Sequence, residues 1–313
     1  MILAAGLTPA WQQIIVLDRL VLGEVNRARE VHRCASGKVL NVAIALGRLG
    51  GPCAVLSVLG GRTGEEAERE VASLGLEGSW VRASRPTRVC TTLVDRSSGL
   101  VTELVENAGS VSAEEIREFV ERYEALAGRS DAAVLTGSLP QGSPATLYRD
   151  LVERGRCPQI LDARGPELLE ALAAKPLVVK PNREELARTL GRRFETWGDL
   201  LRAAEDLRER GAAWAVITGG REPVLVSGPG GARVFRPPRV SAVNPIGSGD
   251  CLAAGLAWAL GRGAAVPEAV RFGMGAAAEN AAALLSSRVS LDSSRRLAGE
   301  VVEESPPSAE RPL

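Results

Sequence analysis

Apolar residues along this chain follow two rhythms, which change near residue 110. Beyond that point short apolar runs alternate with longer stretches whose apolar positions fall three or four apart. The runs at 132–136, 159–161, 177–180, 215–218, 223–226 and 233–235 predict strands. The stretches at 113–126, 144–153, 166–173, 183–190, 197–209, 249–260 and 266–285 predict helices. Such alternation predicts an α/β fold: an open, doubly wound, mostly parallel sheet with helices on both faces. Ligands of such sheets bind beyond the carboxyl ends of the strands.

Before residue 110, 2–6 and 53–59 read as buried strands, and 39–49 and 64–74 as helices ended by Gly50-Gly51 and Gly75. The segments 14–17, 25–33, 87–95 and 100–106 read as a different class of strand, and 25–33 alternates apolar with polar residues. Gly23 supplies the turn of the first pair, and Ser97-Ser98-Gly99 that of the second. Half-polar strands suit a small β lid, placed at about 11–34 and 87–106, better than a buried sheet. There is no internal repeat. One domain is expected over 1–302, and the Ser305-Pro306-Pro307-Ser308 tail, 303–313, is expected to lack fixed structure.

Composition narrows the function classes. With 45% hydrophobic and 24% charged residues the chain is ordinary for a globular protein. Its 38 basic and 38 acidic residues cancel, which argues against a nucleic-acid or membrane-surface binder. No apolar run reaches membrane-spanning length, and residues 1–6 are too short and uncharged for a signal peptide. Cys34, Cys53, Cys90, Cys157 and Cys251 are scattered, lack metal-type spacing, and read as reduced residues of a cytoplasmic protein. Lysine occurs only at Lys38, Lys175 and Lys180, and two of these fall in motifs that carry chemistry. The single histidine, His32, reads as a packing or surface residue of the lid.

The leading candidate for chemistry is Asn244-Pro245-Ile246-Gly247-Ser248-Gly249-Asp250, followed by an apolar helix to Leu260. Its glycines let backbone N–H groups turn toward one point. A helix N-terminus adds unpaired donors and a partial positive charge. Together they make an anion site suited to phosphate oxygens. Asp250 beside it repels a bound phosphate unless it has a task, such as taking a proton from an attacking hydroxyl. Asp also caps helices well, and the loop alone does not separate the two readings.

Other polar clusters stand at predicted strand ends. In Lys180-Pro181-Asn182-Arg183-Glu184-Glu185, Lys180 can reach a phosphate and Glu185 can hold a magnesium ion through water. Asn182 and Glu185 also have the spacing of a capping box. Thr136-Gly137-Ser138-Leu139-Pro140 and Thr218-Gly219-Gly220 each run a strand into a small-residue turn that leaves room for a ligand.

In this order the pieces resemble the ribokinase-like sugar kinases of the phosphofructokinase B family, and within it the 1-phosphofructokinase and tagatose-6-phosphate kinase branch. The resemblance covers residues 1 to about 285. It lies in Gly23-Glu24-Val25-Asn26-Arg27, Gly37-Lys38 with Asn41-Val42-Ala43, Thr87-Arg88 and Thr102-Glu103-Leu104. Gly137-Ser138-Leu139-Pro140, Lys180-Pro181-Asn182 with Glu185, and Gly247, Gly249 and Asp250 complete it. The resemblance implies a catalytic base at Asp250 and an anion hole from the backbone N–H groups of Gly247, Ser248 and Gly249. Lys180 would contact ATP phosphates, while Asn182 and Glu185 would organise magnesium. Thr218 and Gly220 would line the nucleotide pocket, with Asn280 on its adenine side. Gly37, Lys38 and Asn41 would meet the sugar, with Gln12 and Ser138 among the substrate contacts. Arg88, with Arg27 and Lys38, would hold a phosphate already on the substrate. The family's fold is a doubly wound domain with a β lid often used for dimerisation, which implies a homodimer.

The chain departs from the family at a few places. The family opens with Asn-Pro-Ala-x-Asp, whose Asp grips sugar hydroxyls; here Thr8-Pro9-Ala10-Trp11-Gln12 puts an uncharged amide there. The sugar loop Gly-Gly-Lys-Gly reads Ser36-Gly37-Lys38-Val39, and the Val branch is expected to narrow it. Pro223 replaces a glycine, Pro245 a threonine, and Leu285-Ser286-Ser287-Arg288 a Pro-Gly turn. The expectation is a cytoplasmic kinase that uses ATP and Mg2+ on a phosphorylated ketohexose: fructose 1-phosphate, fructose 6-phosphate or tagatose 6-phosphate. Neither nucleic acid nor membrane is expected as a partner. The alternatives are a kinase of a free sugar or nucleoside, and a non-catalytic sugar-phosphate sensor motivated by Gln12, Val39 and Pro245.

Overall fold

The computed structural model describes residues 1–313. It begins β1 (Ile2–Ala5), β2 (Ala10–Leu17), β3 (Glu30–Ser36), α1 (Lys38–Leu49), β4 (Cys53–Leu59), α2 (Gly61–Ser73), β5 (Glu77–Arg82), β6 (Arg88–Asp95) and β7 (Val101–Val105). There follow α3 (Ala113–Ala127), β8 (Ala132–Thr136), α4 (Leu147–Arg154), β9 (Gln159–Asp162), α5 (Gly165–Leu172), β10 (Val178–Val179), α6 (Arg183–Leu190) and α7 (Trp197–Glu209). The chain ends with β11 (Trp214–Gly219), β12 (Glu222–Gly228), β13 (Gly231–Arg236), α8 (Ser248–Leu260), α9 (Val266–Ala281), α10 (Leu291–Gly299) and β14 (Val302–Glu304).

Ten strands form the main sheet, in the order β14-β13-β12-β11-β10-β9-β8-β1-β4-β5. From β5 to β11 every neighbouring pair is parallel; the last three pairings are antiparallel. Burial on both faces follows from the alternation of side chains. Ile2 and Ala4 of β1 join one apolar core with α1, α8 and α9, while Leu3 and Ala5 join a second with α3, α4 and α7. The apolar, Gly-rich sequence of α8 is explained by its place between sheet and α9. A Cβ added at Gly255 would lie 2.7 Å from the Gly273 backbone.

The chain extends the sheet from β1 toward β4 in one direction and from β8 toward β11 in the other. The β1/β8 boundary is therefore the switch point at which a crevice opens above the strand ends. The second sheet, in the order β3-β2-β6-β7, overhangs that crevice. Its far end is fastened by Ile14, Val16 and Val94 against Leu284 and Leu285. No helix is long and apolar enough to cross a membrane.

Several expected boundaries move. Residues 25–29 run without regular structure into β3 rather than starting a strand, after a turn at 22–24 where Gly23 sits at φ +83° and the Asn26 side chain bonds Val21 and Glu24. The helix at 266–285 stops at Ala281, and β10 keeps only two residues between Pro176 and Pro181, which have no N–H to give. β5, α10 and β14 carried too weak a pattern to be anticipated. The tail also differs from expectation. β14 extends β13, and Arg311 O and Ala309 O accept the N–H groups of Trp197 and Gly198 at the start of α7. Unpaired donors at a helix start explain why a Pro- and Ser-rich segment is held there.

Deleting residues 303–313 is expected to cost about 1–3 kcal/mol of stability, from the freed α7 donors and the exposed β13 edge. Urea unfolding of the two chains measures it; an unchanged midpoint would contradict the placement of the tail.

Candidate active site

The strand ends and the lid enclose an open cleft of about 360 Å³. Thr8, Gly137 and Ser138 line its switch-point side; Gln12, Arg88, Cys90, Glu103 and Val105 line it from the lid. Asn182 and Thr218 line the opposite end, and Lys38, Asn41, Asp162, Lys180, Glu185 and Asp250 lie between.

A cluster of buried charge occupies the middle. Asp162, at the end of β9, is fully buried and accepts from Lys38 Nζ at 3.2 Å, with Lys180 Nζ at 3.3 Å. Burial opposes its ionisation, but Lys180 and Lys38 together hold its carboxyl below the ordinary range. Lys38 also bonds Glu185 Oε1 at 3.2 Å. Burial works against the charge of Lys38, yet Asp162, Glu185 and Asp250 outweigh it and push its pKa up. Lys38, expected to meet the sugar and a substrate phosphate, lines the cleft and is engaged there with two carboxylates. Asp162 escaped notice in the sequence, though a carboxylate closing a buried strand was the available signal. Glu103 stood inside a recognised motif without a role.

The glycine loop is shaped as expected, with one change. Gly247 sits at φ +82°, and a Cβ there would lie 1.9 Å from Ser286 Oγ, so only glycine fits. The amides of Gly247, Gly249 and Asp250 make no hydrogen bond within the chain, whereas the Ser248 amide is turned to Pro245 O at 3.1 Å. The open donors are therefore Gly247, Gly249 and Asp250, with Lys180 Nζ 3.5 Å from the place of a Gly249 Cβ. Asn280 was expected on the adenine side. It is 1% exposed, and its amide bonds Ile246 O, Ser248 Oγ and Ser287 N, so it supports the loop from beneath.

Asp250 lies on the first turn of α8, 6% exposed, with Asn41 Nδ2 donating to its Oδ2 at 2.7 Å. Ser36 Oγ orients that amide by donating to Asn41 Oδ1 at 3.1 Å. Burial raises the pKa of Asp250 to about 7, and Asp162 adds to the rise, while Lys38, the Asn41 bond and Lys180 restrain it. Asn182 and Glu185 form the capping box of α6. Glu185 Oε2 accepts the Asn182 N–H, leaving Oε1 toward Lys38 and the cleft. No three acidic, His or Cys side chains converge as a metal cage. One or two carboxylates fit a magnesium ion that keeps most of its water and leans on substrate phosphates.

Arg88 donates to the carbonyls of Thr8, Pro9 and Glu106, so it pins the lid base while keeping two N–H groups free. Gln12 Nε2 donates to Thr92 on the neighbouring strand. Gly37, at φ +85°, packs its Cα against the backbone of residues 8–10. Val39 does not narrow the sugar loop: it is 1% exposed and points into the core beside Gly6. Arg27 is exposed on the lid turn, outside the cleft of its own chain. Gly220, at φ +65°, makes the β11–β12 turn, with nothing within 4 Å of an added Cβ.

Residues 7–288 match the model of the pfkB family carbohydrate kinases. Among solved structures, phosphofructokinase-2 from Escherichia coli with substrates and products is similar at 26% identity, with a TM-score of 0.85 over 94% of this chain and 98% of that one. A possible 1-phosphofructokinase from Thermotoga maritima superposes with a TM-score of 0.90 at 23% identity, over 97% and 99% of the chains. Ribokinase from Thermotoga maritima gives a TM-score of 0.77 at 21% identity, over 95% and 99%.

The raised pKa of Asp250 has a consequence for stability. Between about pH 4 and 7 the unfolded chain releases this proton while the folded chain keeps it, so the contribution of Asp250 falls as pH rises and is lost above 7. Asp250→Asn is expected to gain stability over wild type through that window, on the order of 1–3 kcal/mol by pH 8. Urea midpoints at pH 5 and pH 8 test it, and a difference that does not grow with pH would contradict the burial of the carboxylate.

Proposed function

The chain belongs to the pfkB family of carbohydrate kinases and is an ATP-dependent carbohydrate kinase; from there we propose that its acceptor is a phosphorylated ketohexose and that Asp250 is the base. The observation that carries the proposal is the pairing of a buried, restrained carboxylate with open amides of the same loop. Asn41 occupies one oxygen of Asp250, leaving Oδ1 for an incoming hydroxyl. The proton passes to Oδ1 as the hydroxyl oxygen bonds to the terminal phosphorus of ATP and the bond to ADP breaks. A carboxylate with a pKa of about 7 is better matched to that task than an ordinary one.

The amides of Gly247 and Gly249 and the ammonium of Lys180 face the charge on the transferred group. Glu185, whose Oε1 faces the cleft, would hold a magnesium ion, which would supply neutralisation of phosphate charge. Thr218 and Asn182 border the nucleotide, and Gly37, Asn41, Ser138, Gln12 and Glu103 the sugar. The two free N–H groups of Arg88 suit a phosphate at the far end of the acceptor. The solved relatives include a phosphofructokinase-2 bound to fructose-6-phosphate, which supports a sugar phosphate of this kind.

The exposed Leu22, Val25, Leu100 and Leu104 on and around the lid support a homodimer through that sheet. Arg27 could meet the acceptor only from the lid of a second copy.

The test is ADP release from Mg·ATP with fructose 1-phosphate, fructose 6-phosphate, tagatose 6-phosphate, free fructose and ribose. Turnover is expected on one phosphosugar, with Asp250→Asn reducing it by about 10²–10⁴-fold. Activity confined to free sugars, or retained in the variant, sinks the proposal. Arg88→Met is expected to raise KM for the phosphosugar about tenfold or more while KM for ATP moves less than about twofold. Equal effects on both constants would assign Arg88 to the lid base alone.

A further inference from the structure

The hydrogen bonds of the site leave the cleft and return to it as a ring. From Asp250 the ring passes through Asn41, at 2.7 Å, to Ser36 Oγ, at 3.1 Å. One residue back along β3, the Ala35 N–H donates to Glu70 Oε2 on α2 at 2.6 Å. The other oxygen of Glu70 accepts from Arg288 Nη2 at 2.5 Å. Next to Arg288, the Ser287 N–H donates to Asn280 Oδ1 at 2.7 Å, and Asn280 Nδ2 donates to Ser248 Oγ and Ile246 O at 3.0 Å. Two residues beyond Ser248 the chain is again at Asp250.

Glu70 and Arg288 are the members of this ring joined by opposite charges, and neither lines the cleft. Each side chain is 20% exposed, so the pair is largely shielded from water. Ser287, adjacent to it, is fully buried at φ +65°, a conformation that a residue other than glycine keeps only where its surroundings fix it. The Arg288 pair on one side and the Asn280 bond on the other do so.

We propose that Glu70 and Arg288 are positioning residues. Their ion pair ties the end of β3, which leads into the acceptor loop, to the turn that supports the phosphate loop. It thereby sets where Asn41 stands over the phosphate loop, and so how the Asp250 carboxylate is turned relative to the amides of Gly247 and Gly249. The inference about rate rests on the kinase reading; the ring itself does not. Positioning is a steep lever, because a misplacement of about 1 Å from a distant change can cost about a hundredfold in rate.

The test uses the full chain with Arg288→Met, Glu70→Gln and both together. Each single variant is expected to lower kcat about tenfold or more, with KM for ATP within about threefold, and the double to be no worse than the poorer single. Arg288→Lys keeps a donor for the one bond that Nη2 makes and is expected to retain most of the activity. Single variants that lose stability but keep kcat within about twofold, or losses that multiply in the double, overturn the proposal. Amide hydrogen exchange on Glu70→Gln reads the ring without turnover. Faster exchange is expected both in 36–41 and at Ser248 and Cys251, the bonded amides of the phosphate loop; a change confined to α2 and 285–290 overturns it. A wild-type chain silent toward every acceptor defeats the kinase reading alone, and exchange then decides the ring.

Discussion

A carboxylate that never meets water fixes the arrangement of this site. Asp162 is fully buried, and its charge is tolerable only because lysines from two other elements close on it. Lys38 comes from the start of α1 and Lys180 from the end of β10. The three elements are therefore held in register by electrostatics as well as by the apolar sheet beneath. Losing one lysine leaves an uncompensated charge in the interior, a much larger penalty than the loss of a surface pair.

The same balance prepares Asp250. Asp162, Glu185 and Asp250 share the middle of the cleft with two lysines; Asp250 has no direct lysine partner, and its pKa climbs toward neutrality. Asn41 restrains it by a single donor bond, and the amides left open by the Gly247 turn face the same space. Base and anion site are thus separate properties of one short loop. The parallel sheet adds position: the β1/β8 switch point delivers Thr8, Gly137 and Ser138 to the cleft beneath a lid anchored by Arg88.

Much of this was legible in the residues. The strands 53–59 and 132–136 and the helices 183–190 and 197–209 agree with their predicted bounds, because short apolar runs and capping boxes are local signals. The two half-polar strand pairs identify a separate sheet for a similar reason: one side of each strand meets solvent. Misplacements occurred where a distant partner decides. Residues 25–29 were drawn out of the strand by the Asn26 side chain, which closes the 22–24 turn, and the tail became ordered by helix donors more than a hundred residues away in sequence.

The sequence by itself determined the fold class, the glycine that Gly247 must be, and the presence of Asp250, Lys180 and Glu185 at strand and helix ends. These depend on periodicity and on backbone geometry within a few residues. Tertiary structure alone decided the partners. It joined Lys38 to Asp162 across 124 positions and Asn41 to Asp250 across 209. It also buried Val39 in the core and turned Asn280 beneath the loop. Charge pairing and burial act between neighbours in space, and no local pattern records which side chains those will be.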